Sequence, residues 1–236
     1  MDRRPGTAVQ PCGDTEFPLH TDGEATPVVP SQYIACNSVF PLTIDQARTL
    51  ERKTVRQADT DLWYQSRKNR ITASAFHRVV KRVKDFNDKF TQSVLSAPRS
   101  VSSVPCSYGT AHENIAKSRY CEVKPSVHLH DCGLCVSPSC SFLGATPDAK
   151  VCCGGVTGIL EVKCPYAARD MTVEEAVHAQ NKFCLCRVDG KFQLDREHDY
   201  YCQVQGQLMV TGAPFCDFVV YTKRDIHIER IFPDRC

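Results

Sequence analysis

The chain has 236 residues, of which 42% are hydrophobic and 24% are charged, and its net charge is +2 at pH 7. This composition is typical of a globular protein with one large domain or two small ones, and the charge neither requires nor excludes a nucleic-acid partner. No apolar run follows the N-terminal methionine, and no stretch approaches the roughly 20 apolar residues that span a bilayer. We therefore expect an intracellular protein of the nucleus or cytoplasm, without a signal peptide or a membrane partner.

Fifteen cysteines are present. Without a secretory signal they indicate a reducing compartment and mostly free thiols, with cysteine acting as a small apolar side chain. A zinc site is the alternative interpretation, with ligands drawn from His128, His130, Cys132, Cys135 and Cys140. We favour free thiols, because structural zinc more often uses two separated ligand pairs and no second clean pair accompanies Cys132 and Cys135.

Ordered structure is predicted to begin near Thr43. Residues 1–40 are rich in Pro, Thr, Gly and Asp and show no periodicity, which predicts a disordered leader before an ordered domain at 41–236. Thr43 with Gln46 resembles a capping box, and the apolar spacing that follows predicts a helix to about Ala58.

The next segment is basic. Residues 51–90 hold eleven Lys or Arg against five acids. A solvated surface explains such a run equally well by itself, but a phosphate-cleaving site further along the chain would favour contact with a DNA backbone. Within this segment, Ser74 is expected to cap a helix that continues to Arg82.

A helix is predicted from Tyr108 to about Tyr120, followed by strands at 123–130 and 133–137. A β-hairpin with acids at one end comes next. Asp148 opens its first strand at 149–153, and its second strand covers 157–163. Glycines tolerate the positive φ that a hairpin turn needs, and we assign the turn to Gly154, Gly155 and Gly158.

The hairpin brings two carboxylates and an ammonium together. Because side chains alternate along a strand, Glu161 and Lys163 share one face. Asp148 and Glu161 alone would repel each other, and a divalent cation that prefers oxygen ligands, Mg²⁺ or Mn²⁺, removes that conflict. The ammonium of Lys163 can stabilise charge that develops on a phosphate or orient a water.

Two further helices and a terminal hairpin complete the chain. The helices are predicted at 170–183 and 199–212, and the hairpin strands at 215–221 and 226–231. This order of elements predicts an α/β fold with a mixed central β-sheet flanked by helices.

Five segments, in this order, resemble the YqaJ-type viral recombinase family, the phage lambda exonuclease family within the PD-(D/E)xK nuclease superfamily. The likeness covers about residues 60–232 and implies a restriction-endonuclease-like core. It is carried by Trp63-x3-Arg67-x3-Ile71-Thr-Ala-Ser74, Tyr108-Gly-x3-Glu113, Gly144-Ala-Thr-Pro-Asp148, Leu160-Glu-Val-Lys-Cys-Pro165 and Tyr200-x2-Gln203-Val-Gln205.

The resemblance implies a role for each matched position. Asp148, Glu161 and the backbone carbonyl of Val162 would hold Mg²⁺, and Mn²⁺ is the other suitable ion. Lys163 would assist the attacking water, Glu113 would act from its helix through metal-bound water, and Gln203 would lie near the same site. From spacing alone, Glu113 is equally well explained as a solvent-facing acid, and Gln203 is better explained as an interior amide.

A pocket for a 5′-phosphate is also implied, with Arg67, Ser74 and Thr146 as its residues. The guanidinium fork of arginine can bind a phosphate through two hydrogen bonds. Thr146 stands where the family usually has serine and keeps the hydroxyl.

Two positions depart from the family pattern. Ala149 replaces the usual glycine, and residues 137–140 contain no acid where the phage enzyme has a further metal-site aspartate. The resemblance therefore supports one bound metal ion better than two.

The resulting prediction is a Mg²⁺-dependent DNA exonuclease that acts 5′ to 3′ on double-stranded ends, in recombination or repair. The partners that the resemblance implies are a single-strand annealing protein and, as in the phage enzyme, two further copies of the chain in a trimer. The alternatives are an endonuclease on the same fold and a non-catalytic DNA-binding protein derived from a viral or mobile element.

Overall fold

The computed structural model describes residues 16–17, 19, 42–96 and 103–234. Apart from three positions, the predicted leader at 1–40 lies outside the described residues. The helices are α1 (Ile44–Lys53), α2 (Asp61–Arg67), α3 (Phe76–Val80), α4 (Asp88–Leu95), α5 (Val104–Val123), α6 (Val173–Ala179) and α7 (Asp199–Thr211). The strands are β1 (Ile71–Thr72), β2 (Val127–His130), β3 (Cys135–Val136), β4 (Leu143–Ala145), β5 (Ala149–Cys153), β6 (Val156–Lys163), β7 (Leu185–Val188), β8 (Lys191–Leu194), β9 (Cys216–Tyr221) and β10 (Ile226–Ile231).

A five-stranded mixed sheet forms the centre, with strand order β10-β9-β6-β5-β2. Strands β6 and β9 are parallel, and the other neighbours are antiparallel. On one face, α7 contributes Val204 and Leu208 to the apolar cluster that contains Ile159. On the other face, α5 contributes Tyr120 to the cluster that contains Leu160. The predicted fold class, a mixed sheet flanked by helices, is confirmed.

A smaller three-stranded sheet, of order β1-β4-β3, lies before the central hairpin in the chain. Its strands β1 and β4 are parallel, and Thr72 pairs with Gly144. Two residues beyond that pair, Ser74 and Thr146 leave the sheet in the same direction. This register places both predicted phosphate-binding hydroxyls at one end of the small sheet.

The central hairpin forms in the predicted place, with Ala149 paired to Leu160. Gly154 and Gly155 make the turn with φ of 58° and 81°. The assignment of Gly158 to the turn is wrong, because Gly158 lies inside β6 against Phe215. A Cβ at Gly158 would come within 2.3 Å of the Phe215 ring, so glycine is needed there for close packing rather than for turning.

Three helix predictions need correction. The helix predicted at 170–183 covers only Val173–Ala179, because Thr172 caps its start and Gln180 is extended after its end. The capping box of Thr43 and Gln46 is confirmed, but α1 ends at Lys53 and not near Ala58. The chain turns soon afterwards at Gln57, whose left-handed φ of 46° is incompatible with a continuing right-handed α-helix. Ser74 does not cap a helix, because its hydroxyl shares a hydrogen bond with that of Thr72, 3.2 Å away.

A buried polar network fixes α5 to the central sheet. The Tyr120 hydroxyl donates to Asp217 Oδ2 at 2.6 Å, and Arg230 donates to both oxygens of the same carboxylate, at 2.7 and 2.8 Å. Because Asp217 is 1% exposed, this bidentate pair stabilises its buried charge. The network holds α5, and with it Glu113, at a defined height above the sheet.

Two further expectations concern membrane-spanning helices and the state of the cysteines. Within the described ranges, no helix has the length and apolar character needed to cross a lipid bilayer. Eleven cysteines of the described part carry free thiols, and several of them are buried among apolar side chains.

Candidate active site

Asp148 and Glu161 meet where strands β5 and β6 pair. The Asp148 amide donates to the Leu160 carbonyl at 3.0 Å, which places Asp148 directly before the paired residues of β5. Its carboxylate then accepts the Val162 amide at 2.7 Å. The strand register therefore fixes the Asp148 side chain beside the segment that contains Glu161.

Three side-chain donors surround the Glu161 carboxylate, which is only 2% exposed. Lys163 and Gln203 each donate to Oε1 at 2.6 Å, and Gln207 donates to Oε2 at 2.7 Å. Lys163 also donates to Oε1 of the Gln203 side-chain amide at 3.2 Å, so these groups form one connected network. The structure thus brings Gln203 to the predicted site, where it holds both the acid and the lysine.

Sequence reasoning missed Gln207. It lies four residues after Gln203 on α7, so the two amides share one helix face, and that spacing is the signal that could have found it. Gln207 is 1% exposed, and among the described residues its Oε1 has no hydrogen-bond partner. A buried amide with an unpaired oxygen indicates a residue kept for the acid that it contacts rather than for stability.

We expect Gln207→Leu to lower activity by about 10- to 100-fold, because the Glu161 carboxylate loses the donor that orients Oε2. Gln205→Leu is the matched control, since Gln205 faces away from Glu161 and bonds the Phe232 carbonyl. Initial rates on linear DNA, with thermal melting of each variant, would check this. Equal losses in the two variants would contradict a specific role for Gln207.

Glu113 reaches the site from α5. Its Oε1 accepts Lys117 Nζ at 2.6 Å, and the same ammonium donates to the Asp148 carbonyl at 2.7 Å. Lys117 therefore ties Glu113 to the start of β5. Lys117 was not predicted, although its spacing of four residues from Glu113 is that of a helical ion pair.

The Asp148 carboxyl is buried beside two other acids, Glu161 and Glu113. Burial, then the charges of Glu161 and Glu113, raise the pKa of the Asp148 carboxyl well above its usual range. Burial alone would lower the pKa of Lys163, but Glu161 and Asp148 outweigh it and raise the pKa. Lys163 is therefore a fixed ammonium and not a free base.

Magnesium fits this set of donors. Asp148, Glu161 and the Val162 carbonyl offer hard oxygen ligands, and a bound cation would offset the burial and the neighbouring carboxylates that raise the pKa of Asp148. In the described part of the chain, no three His, Cys, Asp or Glu side chains come together closely enough to hold a metal ion by themselves. A metal here would thus use two carboxylates with the backbone carbonyl and water.

An open groove of about 480 Å³ lies beside the acids. It gives solvent a route to Glu113 and Lys163, and Tyr200 lies along the same wall. The Lys163 ammonium lies 4.3 Å from the centre of the Tyr200 ring. Further lining residues are Pro105, Cys106, Gly109, Val162, Cys164, Pro165, Tyr166 and Ala167.

The predicted phosphate-binding residues are partly brought together. The Arg67 guanidinium stacks 4.1 Å over the Trp63 ring, and the Trp63 indole donates to the Thr146 hydroxyl at 3.3 Å. Burial lowers the pKa of Arg67, and among the described residues no carboxylate pairs with it. Ser74 lies at the same end of the small sheet, but its hydroxyl faces Thr72.

The N-cap of α7 is a histidine, His198. His198 Nδ1 accepts the Tyr200 amide at 3.1 Å, a cap that requires a neutral imidazole. Burial lowers the pKa of His198, with charged neighbours at Asp199, Asp195, Lys81 and Lys163. Because the folded-state pKa is lowered, this stability is present above about pH 6.5 and is lost as the pH falls through the folded-state value.

We therefore expect the free energy of unfolding to fall by about 1 kcal/mol as His198 becomes protonated. His198→Asn, which keeps an N-cap acceptor without a charge, should remove this loss. Urea unfolding between pH 7.5 and 5 measures it in both proteins. Parallel curves for the two proteins would rule out His198 as the source.

The mixed central sheet flanked by helices, with Asp148, Glu161 and Lys163 beside its middle strand β6, defines the class: this is the PD-(D/E)xK fold. The chain belongs to the YqaJ-like viral recombinase domain family, whose model matches residues 62–214.

Known relatives agree with this assignment. The chain is similar to the alkaline nuclease of Autographa californica nuclear polyhedrosis virus, at 28% identity over 205 residues, 80% of this chain and 48% of that protein. It is also similar to the alkaline nuclease of Orgyia pseudotsugata multicapsid polyhedrosis virus, at 26% identity over 220 residues, with 80% and 47% covered. The chain spans about half the length of these curated relatives.

Solved structures have the same fold. LHK-Exo in complex with dAMP gives a TM-score of 0.54 at 25% identity, covering 74% of this chain and 83% of that one. The alkaline exonuclease LHK-Exo from Laribacter hongkongensis gives 0.52 at 24% identity with the same coverage. A SOX–DNA complex gives 0.50 at 15% identity, covering 80% and 61%, which is a likeness of fold alone.

Proposed function

We propose that the protein is a Mg²⁺-dependent DNA exonuclease that digests double-stranded ends from 5′ to 3′. The observation that carries this proposal is the network in which Lys163 and Gln203 hold Glu161 beside Asp148. The relatives named alkaline nuclease and alkaline exonuclease support it, as does the structure of LHK-Exo with dAMP, a mononucleotide.

Each residue has a role in this proposal. Asp148, Glu161 and the Val162 carbonyl hold the ion, which supplies Lewis acidity to the scissile phosphate when it is bound. The Lys163 ammonium stabilises the negative charge that grows on the phosphate as water attacks. Gln203 keeps that ammonium in place, and Glu113 orients the water from α5.

End recognition is assigned to Arg67. Its guanidinium stacks on Trp63, which limits its motion and leaves its N–H groups for a phosphate. Thr146 accepts the Trp63 indole, so one hydroxyl of the pocket also supports the arginine platform. Ser74 would turn its hydroxyl from Thr72 to the phosphate.

Residues 76–95, which form helices α3 and α4 and the turn between them (the α3–α4 hairpin), are assigned to contact with the DNA backbone. Arg82 lies 3.8 Å over the Phe90 ring, and Val83 and Phe86 are 99% and 64% exposed. The hairpin connects the two parts of the site: Lys81 pairs with Asp199 at the start of α7, and the Leu95 carbonyl accepts the amide of Asn69, close to Arg67. The basic residues of this segment would contact the phosphates of duplex DNA.

The proposal extends to the protein's partners. The family resemblance suggests that the 3′ overhang passes to a single-strand annealing protein and that three copies of the chain enclose the duplex. Measuring the molecular mass of the protein in solution, with and without DNA, tests whether three copies of the chain assemble.

Digestion of end-labelled linear duplex with Mg²⁺ tests the activity. A 5′ label should appear at once as mononucleotide, while a 3′ label stays on a long strand. Cutting of closed circular DNA would favour the endonuclease alternative. Binding without any cutting, in the wild type as in Glu161→Ala, would favour the non-catalytic alternative.

We expect Arg67→Ala to slow digestion of 5′-phosphorylated ends by about 10- to 100-fold and to leave 5′-hydroxyl ends nearly unaffected, because the phosphate loses a bidentate partner. Arg187→Ala, an exposed arginine on β7, is the matched control. The digestion rate of each variant is measured on 5′-phosphorylated and on 5′-hydroxyl duplex ends, and the ratio of the two rates is compared with that of the wild type. Equal slowing on both ends would count against the pocket.

A further inference from the structure

The acid cluster contains two lysines and three carboxylates, and four of these five groups are paired. Lys163 neutralises Glu161, and Lys117 neutralises Glu113, each at 2.6 Å. Among the described residues no cation pairs with the Asp148 carboxylate, whose hydrogen bond comes from the uncharged Val162 amide. One carboxylate is therefore left for added positive charge.

Lys117 is held more tightly than an ordinary surface lysine. Its side chain is 20% exposed, and its ammonium bridges Glu113 Oε1 and the Asp148 carbonyl, which belong to different elements. A divalent ion bound between the same two oxygens would occupy the space that this ammonium fills. Fixed positive charge from a lysine needs no ion from solution.

The segment that leads into β4 adds no acid to the cluster. Residues 137–140, which pass close to the small sheet, read Ser-Pro-Ser-Cys and provide no carboxylate. Ser137 and Ser139 share a hydrogen bond of 3.0 Å with each other.

We propose that Lys117 is a positioning residue that clamps Glu113 to the Asp148 backbone and supplies the charge of a second cation, so that the site binds a single divalent ion. This inference rests on the proposed metal-dependent activity. In this arrangement the positive charge of Lys117 weakens binding of the divalent ion slightly. At the same time, its hydrogen bond fixes the position of Glu113 for the reaction.

Binding of Mn²⁺ to the DNA-free protein, measured by titration calorimetry, tests the inference without turnover. The wild type should bind one Mn²⁺ per chain. Lys117→Met should bind Mn²⁺ about tenfold more tightly, because a nearby positive charge is gone, while its cleavage rate falls about 10- to 100-fold, because Glu113 is no longer held. Lys117→Arg should restore the wild-type affinity, and Lys124→Met, at the exposed end of the same helix, should behave as the wild type.

Two ions in the wild type, or Mn²⁺ affinity in Lys117→Met that is unchanged or weaker, would overturn the inference. Lys117→Gln, uncharged but able to donate to the Asp148 carbonyl, gives the same test if the methionine variant folds poorly. A wild type that shows no binding dependent on Asp148 would instead refute the proposed function, so the two failures are distinguishable.

Discussion

Asp148→Asn should abolish digestion, with a fall of at least about 10³-fold, and should at the same time make the metal-free protein more stable. The asparagine keeps an oxygen for the Val162 amide but cannot offer a charged ligand to the metal. Burial, followed by the charges of Glu161 and Glu113, raises the pKa of the wild-type carboxyl, so its ionisation opposes folding. Removing that charge relieves the repulsion.

Thermal melting in EDTA measures the second half of this prediction. A gain of 1 kcal/mol corresponds to about 2–4 °C in a domain of this size. Mg²⁺ should raise the melting temperature of the wild type but not that of Asp148→Asn. Asp189→Asn, in the exposed turn between β7 and β8, is the control and should change neither property. A melting temperature that falls in Asp148→Asn would show that the carboxylate stabilises the fold and does not merely serve the site.

The hairpin and α7 could be predicted because their signals are local. Alternation along β6 places Glu161 and Lys163 on one face, and Gly212, with φ of 66°, ends α7 where the sequence indicates. The resemblance adds Gln203, which spacing alone favours as an interior amide. Local patterns therefore predict which elements carry the chemistry.

Contacts between elements could not be predicted in this way. Lys117 reaches the Asp148 carbonyl across 31 positions, and Gln207 reaches Glu161 across 46. Such contacts depend on the distance between each of the helices α5 and α7 and the central sheet. That distance is set by the packing of side chains between helix and sheet. For Ser74 the local signal was misleading, since a hydroxyl at an apparent helix start turned instead to Thr72.

Lys163→Met should lower the rate of phosphodiester cleavage by about 10³-fold while leaving Mn²⁺ binding intact or tighter. The ammonium donates to Glu161 and Gln203 and has a raised pKa, so it carries a full charge throughout the reaction. Its loss removes charge stabilisation of the phosphate but none of the metal ligands. Lys163→Arg should not rescue, because a planar guanidinium does not fit between the two oxygens that a single Nζ now bridges.

Single-turnover rates and calorimetric Mn²⁺ titrations, made on the same preparations, separate the roles of the three central residues. Asp148→Asn should lose both metal binding and cleavage, Lys163→Met should lose cleavage alone, and Lys191→Met, an exposed lysine on β8, should lose neither. If Lys163→Met instead lost Mn²⁺ binding, the ammonium would be acting through the position of Glu161. The phosphate would then depend for its stabilisation on other groups, and the groove beside Tyr200 would be the place to look for them.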